Sequence, residues 1–286
     1  MRKLLLLGYT GKMGTAISKV FSDYDIVGKN TKDFNAKNFN QVRDMITKEN
    51  PDILINCVAK LGINPCDKNP EDSFIMNTLY PKLLAELSSE LDFILVHFST
   101  DAVFGNSKDY ITEDINPNPI SIYGLTKFGG DIFIQHISKK YYICRIPIIF
   151  GEVTKSIKDS KQYVENILYR LENGETKLRI AKDVIITSAY TSDVAEKIKE
   201  FIEKEYEYGL YHIANEGITN LFEFTKELID DLYPDVEIEE TTMKEFYPDV
   251  NRNTSYPITS RKIGSMRNWK EAVKEYRSII ESMKNG

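Results

Sequence analysis

Short apolar runs alternate with amphipathic stretches through the first half of the chain, and the alternation is regular. Lys3–Leu7 is a nearly continuous apolar run and predicts a buried strand. Gly14–Phe21 has helical spacing, with Ile17, Val20 and Phe21 on one face. Asp25–Val27 predicts a short second strand, Phe39–Glu49 a helix and Asp52–Asn56 a third strand. One long helical pattern covers Pro70–Leu91, and Phe93–Phe98 predicts a fourth strand. Tyr123–Ile137 reads as a helix and Tyr142–Ile149 as a strand with Pro147 in its second half. Apolar strands separated by helices predict a parallel sheet covered on both faces.

After Gly151 the pattern changes. Lys155–Lys161 is polar and reads as a surface loop, followed by a helix at Gln162–Leu171 and a short apolar run at Val184–Ile186. Ser192–Lys204 is helical, Tyr211–Ala214 predicts another strand, and helices follow at Leu221–Leu232 and Trp269–Met283. The expected fold is α/β, a Rossmann-like doubly wound parallel sheet with a small C-terminal substrate-binding lobe. Residues 1–150, with a returning strand and helix near 184–214, would form the dinucleotide-binding part; 151–183 and 215–286 would form most of the lobe.

The stretch GYTGKMG, residues 8–14, lies between the first strand and the first helix. Glycines at 8, 11 and 14 permit a sharp turn and close approach of a pyrophosphate to the backbone, at a helix N-terminus whose N–H groups and dipole favour an anion. Gly8, Thr10, Gly11, Lys12, Met13 and Gly14 are therefore candidate cofactor residues. An acid at the end of the second strand would take the ribose diol of NAD. Gly28 stands there instead, followed by Lys29 and Asn30, with Asn35 further on. Lys29 is placed to meet a 2′-phosphate, which favours NADP(H) over NAD(H); Asp33 lies near.

Ligands in such sheets bind beyond the carboxyl ends of the strands. There the sequence offers NCVAK at 56–60, STDAVFGN at 99–106, and Tyr123 with Lys127 in SIYGLTK. Residues four apart share a helix face. A cation beside a phenol favours phenolate and lowers its pKa, so Lys127 is expected to make Tyr123 a usable proton donor. The hydroxyls of Ser99 and Thr100 are candidates to hydrogen-bond a substrate carbonyl. His97 and His212, inside apolar strands, read as satisfied core residues, Arg145 as a buried ion-pair partner and Trp269 as packing.

Together these motifs resemble the extended short-chain dehydrogenase/reductase family. The wording of STDAVFG, PNPISIYGLTKFGGD, PDILINCVAK, NPEDSFIMNTLYPKLLAEL and GLYHIANEGITNLFEF resembles its dTDP-4-dehydrorhamnose reductase branch. The resemblance implies Tyr123 as proton donor, Lys127 on the nicotinamide ribose and Thr100 orienting the ketone. It also implies Cys57, Val58, Ala59, Lys60 and Ser99 along the cofactor groove, Asn77 supporting the site from the fourth helix, and Asp101, Phe104 and Ile148 near the sugar. Ala102, Ile148 and Ser188 depart from the branch's usual tyrosine, tryptophan and proline. The implied reaction is NAD(P)H-dependent reduction of the C4 ketone of a nucleotide-diphospho-4-keto-6-deoxysugar in surface-polysaccharide or deoxysugar biosynthesis. A sugar-nucleotide epimerase or dehydratase on the same fold is an alternative, although no Glu follows Asp101. A non-catalytic NADP-binding regulatory subunit is another.

Composition narrows the partners. The chain has 286 residues and a formal net charge of −6, with 42% hydrophobic and 28% charged residues. That balance suits a soluble globular protein and argues against nucleic acid as a main ligand. Three cysteines, Cys57, Cys66 and Cys144, lack CxxC spacing and point to a reducing compartment without a metal site. No apolar run approaches the roughly 20 residues of a membrane helix, so a cytoplasmic protein without membrane contact is expected, with a homodimer as a further expectation.

Overall fold

The computed structural model describes residues 2–152, 162–248, 253–264 and 266–284; the expected loop at 155–161 lies outside them. The N-terminal half runs β1 (Lys3–Leu7), α1 (Lys12–Val20), β2 (Asp25–Lys29), α2 (Phe39–Glu49), β3 (Ile53–Asn56), α3 (Ile63–Lys68) and α4 (Pro70–Phe74). It continues through α5 (Tyr80–Leu91), β4 (Ile94–Thr100), α6 (Ile122–Ile137), β5 (Tyr141–Ile146) and β6 (Ile148–Phe150). Next come α7 (Tyr163–Glu172), β7 (Lys177–Ala181), β8 (Ile185–Ile186), β9 (Ser188–Tyr190), α8 (Thr191–Glu203) and β10 (Gly209–His212). The chain ends with β11 (Asn215–Glu216), β12 (Thr219–Asn220), α9 (Leu221–Ile229), β13 (Glu237–Thr241), α10 (Met243–Phe246), β14 (Met266–Asn268) and α11 (Trp269–Lys284).

The main sheet has six strands in the order β10-β5-β4-β3-β1-β2, and every pairing is parallel. Successive strand residues point to opposite faces, which accounts for the unbroken LLLL of β1. Leu4 and Leu6 join one core with Ile17, Val96, Ile198 and Phe201. Leu5 and Leu7 join the other with Val42, Leu84, Leu95 and Ile134. The order reverses direction between β1 and β3, the switch point at which a crevice opens beyond the strand ends.

The expected strand Tyr142–Ile149 is two strands. Pro147 has no N–H for a ladder. The chain leaves the main sheet there, and β6 pairs in parallel with β9. The helical pattern at Pro70–Leu91 is continuous but carries a π-helical turn at Ile75–Leu79, a form often found beside functional sites. A further core gathers Phe150, Ile167, Leu178, Phe224, Trp269 and Tyr276, so Trp269 packs. The parallel pair β7–β13 was not expected, because its outward positions carry charge: Lys177 pairs with Glu239 at 2.5 Å while Leu178 faces the core.

Candidate active site

The turn after β1 builds the first wall. Gly8 has φ +82°, a left-handed conformation that favours glycine. A Cβ on Gly14 would lie 2.3 Å from the Gly8 carbonyl oxygen, so the returning helix depends on its absence. Gly11 is different: a Cβ there would meet only the Gly8 oxygen, at 3.3 Å. Gly11 is the N-cap of α1, and no side chain caps that end. Its first N–H groups are left for an anion, as a pyrophosphate cradle requires.

Two cavities meet at this turn, sharing Gly11, Cys57, Val58 and Ala59. One, of about 620 Å³, adds Gly8, Thr10, Asn30, Asn35 and Lys37, and suits the adenosine end of a dinucleotide. The other, of about 430 Å³, holds Lys12, Met13, Ser99, Thr100, Asp101, Tyr123, Lys127 and Ile148. Its far wall comes from Tyr163, Val184, Ile186, Leu221, Met243 and Tyr256.

Not every expected residue lines a cavity. Lys29 turns to Glu49, 2.9 Å away. Gly14 acts through packing, and Lys60 is engaged with Asp72. Asn77 stands behind the wall: its Oδ1 accepts from the Lys60 N–H at 2.9 Å, and its Nδ2 donates to the Lys60 carbonyl at 3.0 Å and to Thr126 Oγ1 at 3.2 Å. It thereby ties the loop after β3 to α6. Phe104 is buried against His212, with ring centroids 5.5 Å apart, and its ring faces the Arg145 guanidinium. It lines neither cavity. Lys12, expected on the cofactor, is buried and ion-paired with Glu165 of α7.

The chemistry of the catalytic set also differs from expectation. Lys127 does not act on the Tyr123 phenol in this arrangement. Its Nζ lies 3.1 Å from His97 Nε2 and donates to the Phe98 carbonyl at 2.5 Å. Burial raises the Tyr123 pKa, and the hydrogen-bonded Thr100 hydroxyl offsets only part of this. Tyr123 is thus held as a neutral phenol, the form that can give a proton. Ser99 donates to Asp131 Oδ2 at 2.9 Å, which leaves Thr100 as the hydroxyl beside the phenol. Arg145 Nε donates to the same carboxylate oxygen at 3.1 Å, the buried ion pair expected of it.

Sequence reading missed the link from His97 to Lys127, yet a signal was present. His97 and Ser99 lie two apart on β4, about 6.6 Å, and share a face. Lys127 and Asp131 lie four apart on α6, about 6 Å. The two spacings match, and each strand residue meets its helix counterpart.

Asp101 is buried beside Thr100, whose hydroxyl donates to its Oδ1 at 3.1 Å. Burial pushes its pKa up to about 7. A folded-state pKa above the unfolded value favours the native state at low pH. That contribution is lost as pH rises through about 7. Asp101→Asn cannot ionise, so its melting temperature relative to the parent should climb between pH 5 and 8. Thermal melts across that range check this; a constant difference would contradict it.

Comparison with known proteins agrees with this geometry. The family model for the RmlD substrate binding domain matches residues 1–282. The spore coat polysaccharide biosynthesis protein SpsK of Bacillus subtilis (strain 168) is 26% identical, covering 96% of this chain and 97% of its own. A dTDP-4-dehydrorhamnose reductase ortholog from Clostridium acetobutylicum superposes with a TM-score of 0.89 at 27% identity, covering 98% of this chain and 99% of that one. The dTDP-4-dehydrorhamnose reductase of Bacillus anthracis str. Ames, solved in complex with NADP, gives 0.88 at 24% identity with the same coverage. With a glycine cradle at the switch point and Thr100, Tyr123 and Lys127 beside it, this chain belongs to the RmlD substrate-binding-domain family within the extended short-chain dehydrogenases/reductases, and is an NAD(P)-dependent oxidoreductase.

Proposed function

We propose that this enzyme reduces the C4 ketone of a nucleotide-diphospho-4-keto-6-deoxysugar, with NADPH preferred. The observation that carries the reading is the convergence of Thr100, Tyr123 and Lys127 on a cavity that shares Gly11 and Cys57–Ala59 with the dinucleotide groove. A bound nicotinamide supplies the hydride. The Tyr123 phenol protonates the carbonyl oxygen, Thr100 orients it, and Asp101 meets sugar hydroxyls. The apolar side chains of Val184, Ile186, Leu221 and Met243 suit the C6 methyl of a deoxysugar. The division of labour follows the cavities: Gly8, Thr10, Asn30, Asn35 and Lys37 line the adenosine end, while Tyr163, Val184, Ile186, Leu221, Met243 and Tyr256 face the sugar. Incubation with a panel of nucleotide 4-ketosugars tests the reading: a substrate-dependent loss of nicotinamide absorbance is expected, and no loss with any member would refute it.

Three observations support NADPH. Gly28 leaves no carboxylate at the end of β2, Lys37 lines the adenosine cavity, and the Bacillus anthracis neighbour holds NADP. A partly exposed lysine–phosphate pair contributes about 1 kcal/mol at most, so each lysine accounts for less than about tenfold. Both lysines are paired, Lys29 with Glu49 and Lys37 with Asp72, but only Lys37 lines the adenosine cavity, so Lys37→Ala should narrow the NADPH preference more than Lys29→Ala. Fluorescence titration of both cofactors decides this, and equal affinities in the parent protein would remove the preference.

A further inference from the structure

The buried chain behind Lys127 fixes proton positions that the distances alone do not. The Val58 backbone N–H can only donate, and it lies 3.1 Å from Asn56 Oδ1. That contact orients the carboxamide, so Asn56 Nδ2 is the atom facing His97 Nδ1 at 3.1 Å. An amide NH₂ can only donate. His97 Nδ1 is therefore the acceptor, and the ring proton of the neutral imidazole sits on Nε2. Nε2 faces Lys127 Nζ at 3.1 Å. An N–H there needs a lone pair to accept it. An ammonium has none; a neutral amine has one, and keeps an N–H for the Phe98 carbonyl.

We infer that Asn56 and His97 act as positioning residues that hold Lys127 as a neutral amine before ligands bind, with His97 Nε2–H donating to Nζ. Asp131, one turn along α6, is paired through Oδ2 with Arg145, although its charge still favours ammonium on Lys127, so the hydrogen-bond geometry carries the assignment. The other titratable groups facing this cluster are the Cys66 thiol from α3, the Tyr123 phenol and Asp101, and none of them supplies a settled anion for a second cation. All three members of the chain are at most 2% exposed. Burial moves the Lys127 pKa in the same direction, down to about 8, and holds His97 neutral; the donation from His97 then has to carry it further down for the amine to be the main form at neutral pH. Protonating Lys127 breaks its bond from His97, so the chain disfavours ammonium until an anion, such as the Tyr123 phenolate left by proton transfer, lies nearby. That last role rests on the proposed reduction; the proton assignment does not.

The direct test needs no substrate. Three histidines make ¹⁵N-histidine spectra of the free protein simple to assign, with His97→Gln locating the His97 signals. His97 should be the Nε2–H tautomer at neutral pH and stay neutral well below pH 6. An Nδ1–H tautomer or an imidazolium at neutral pH would overturn the inference. A kinetic arm tests the tuning. The ionisation of kcat/KM that Lys127→Met abolishes should move upward by about one pH unit or more in His97→Leu. It should stay near the parent value in His97→Gln, whose amide keeps an N–H donor. An ionisation unmoved in a folded His97→Leu protein, or shifted equally in both variants, would show that His97 only fills space.

Discussion

Tyr123→Phe should bind the dinucleotide nearly as the parent does and lose turnover by about 10²–10⁴-fold, the usual contribution of a positioned general acid. The ring lines the cavity and its packing survives, because only the hydroxyl is removed. In the proposed reaction the proton for the ketone oxygen comes from that hydroxyl: Lys127 is turned to His97 and Phe98, Ser99 donates to Asp131, and Asp101 is assigned to the sugar hydroxyls. Thr100 remains, but a threonine hydroxyl is too weak an acid to take over. Steady-state kinetics with a ketosugar, paired with cofactor titration, reads both halves. A variant with near-parental kcat would remove Tyr123 from the proton-donor role.

Gly11→Val should weaken dinucleotide binding by orders of magnitude without unfolding the protein. The backbone at Gly11, φ −78° and ψ 171°, suits a branched residue. The added Cβ meets only one backbone oxygen, at 3.3 Å. The new side chain instead projects where both cavities meet, where a pyrophosphate has to approach the N–H groups of α1. Gly14→Val is the informative contrast, since its Cβ would collide with the Gly8 oxygen at 2.3 Å and the Tyr9 backbone. Calorimetric titration and a thermal melt separate the cases: lost binding with an unchanged melt for Gly11→Val, a lowered melt for Gly14→Val. Normal NADPH binding by Gly11→Val would mean that this glycine serves the turn alone.

The half of the site nearest the sheet was legible in the sequence because it is local. A glycine turn directly follows β1, Thr100 closes β4, and Tyr123 and Lys127 share one turn of α6. The opposite wall was not legible. Tyr163, Leu221 and Met243 arrive from α7, α9 and α10 and Tyr256 from the segment before β14, and nothing in their neighbours marks them as facing a cavity. Direction within an element was the other gap. Phe104 follows the catalytic strand closely enough to suggest the sugar, yet its ring turns into the cluster of Val103, Ile111 and Ile258. Lys29 has a charge suited to a phosphate, but Glu49 takes it. The i,i+4 relation of Tyr123 and Lys127 placed both on α6 without saying where Nζ points. The long reach of a lysine brought it to His97, and burial holds the phenol in its acid form where a neighbouring cation was expected to lower its pKa.

Isotope transfer tests the central claim most directly. NADPH carrying deuterium at the transferable position is incubated with a nucleotide 4-keto-6-deoxysugar, and sugar and cofactor are followed together by mass spectrometry. A reductase is expected to leave deuterium on C4 of the product sugar and to oxidise cofactor in equimolar amount. Conversion of the sugar with the cofactor regenerated would contradict this account and identify an epimerase or dehydratase on the same fold.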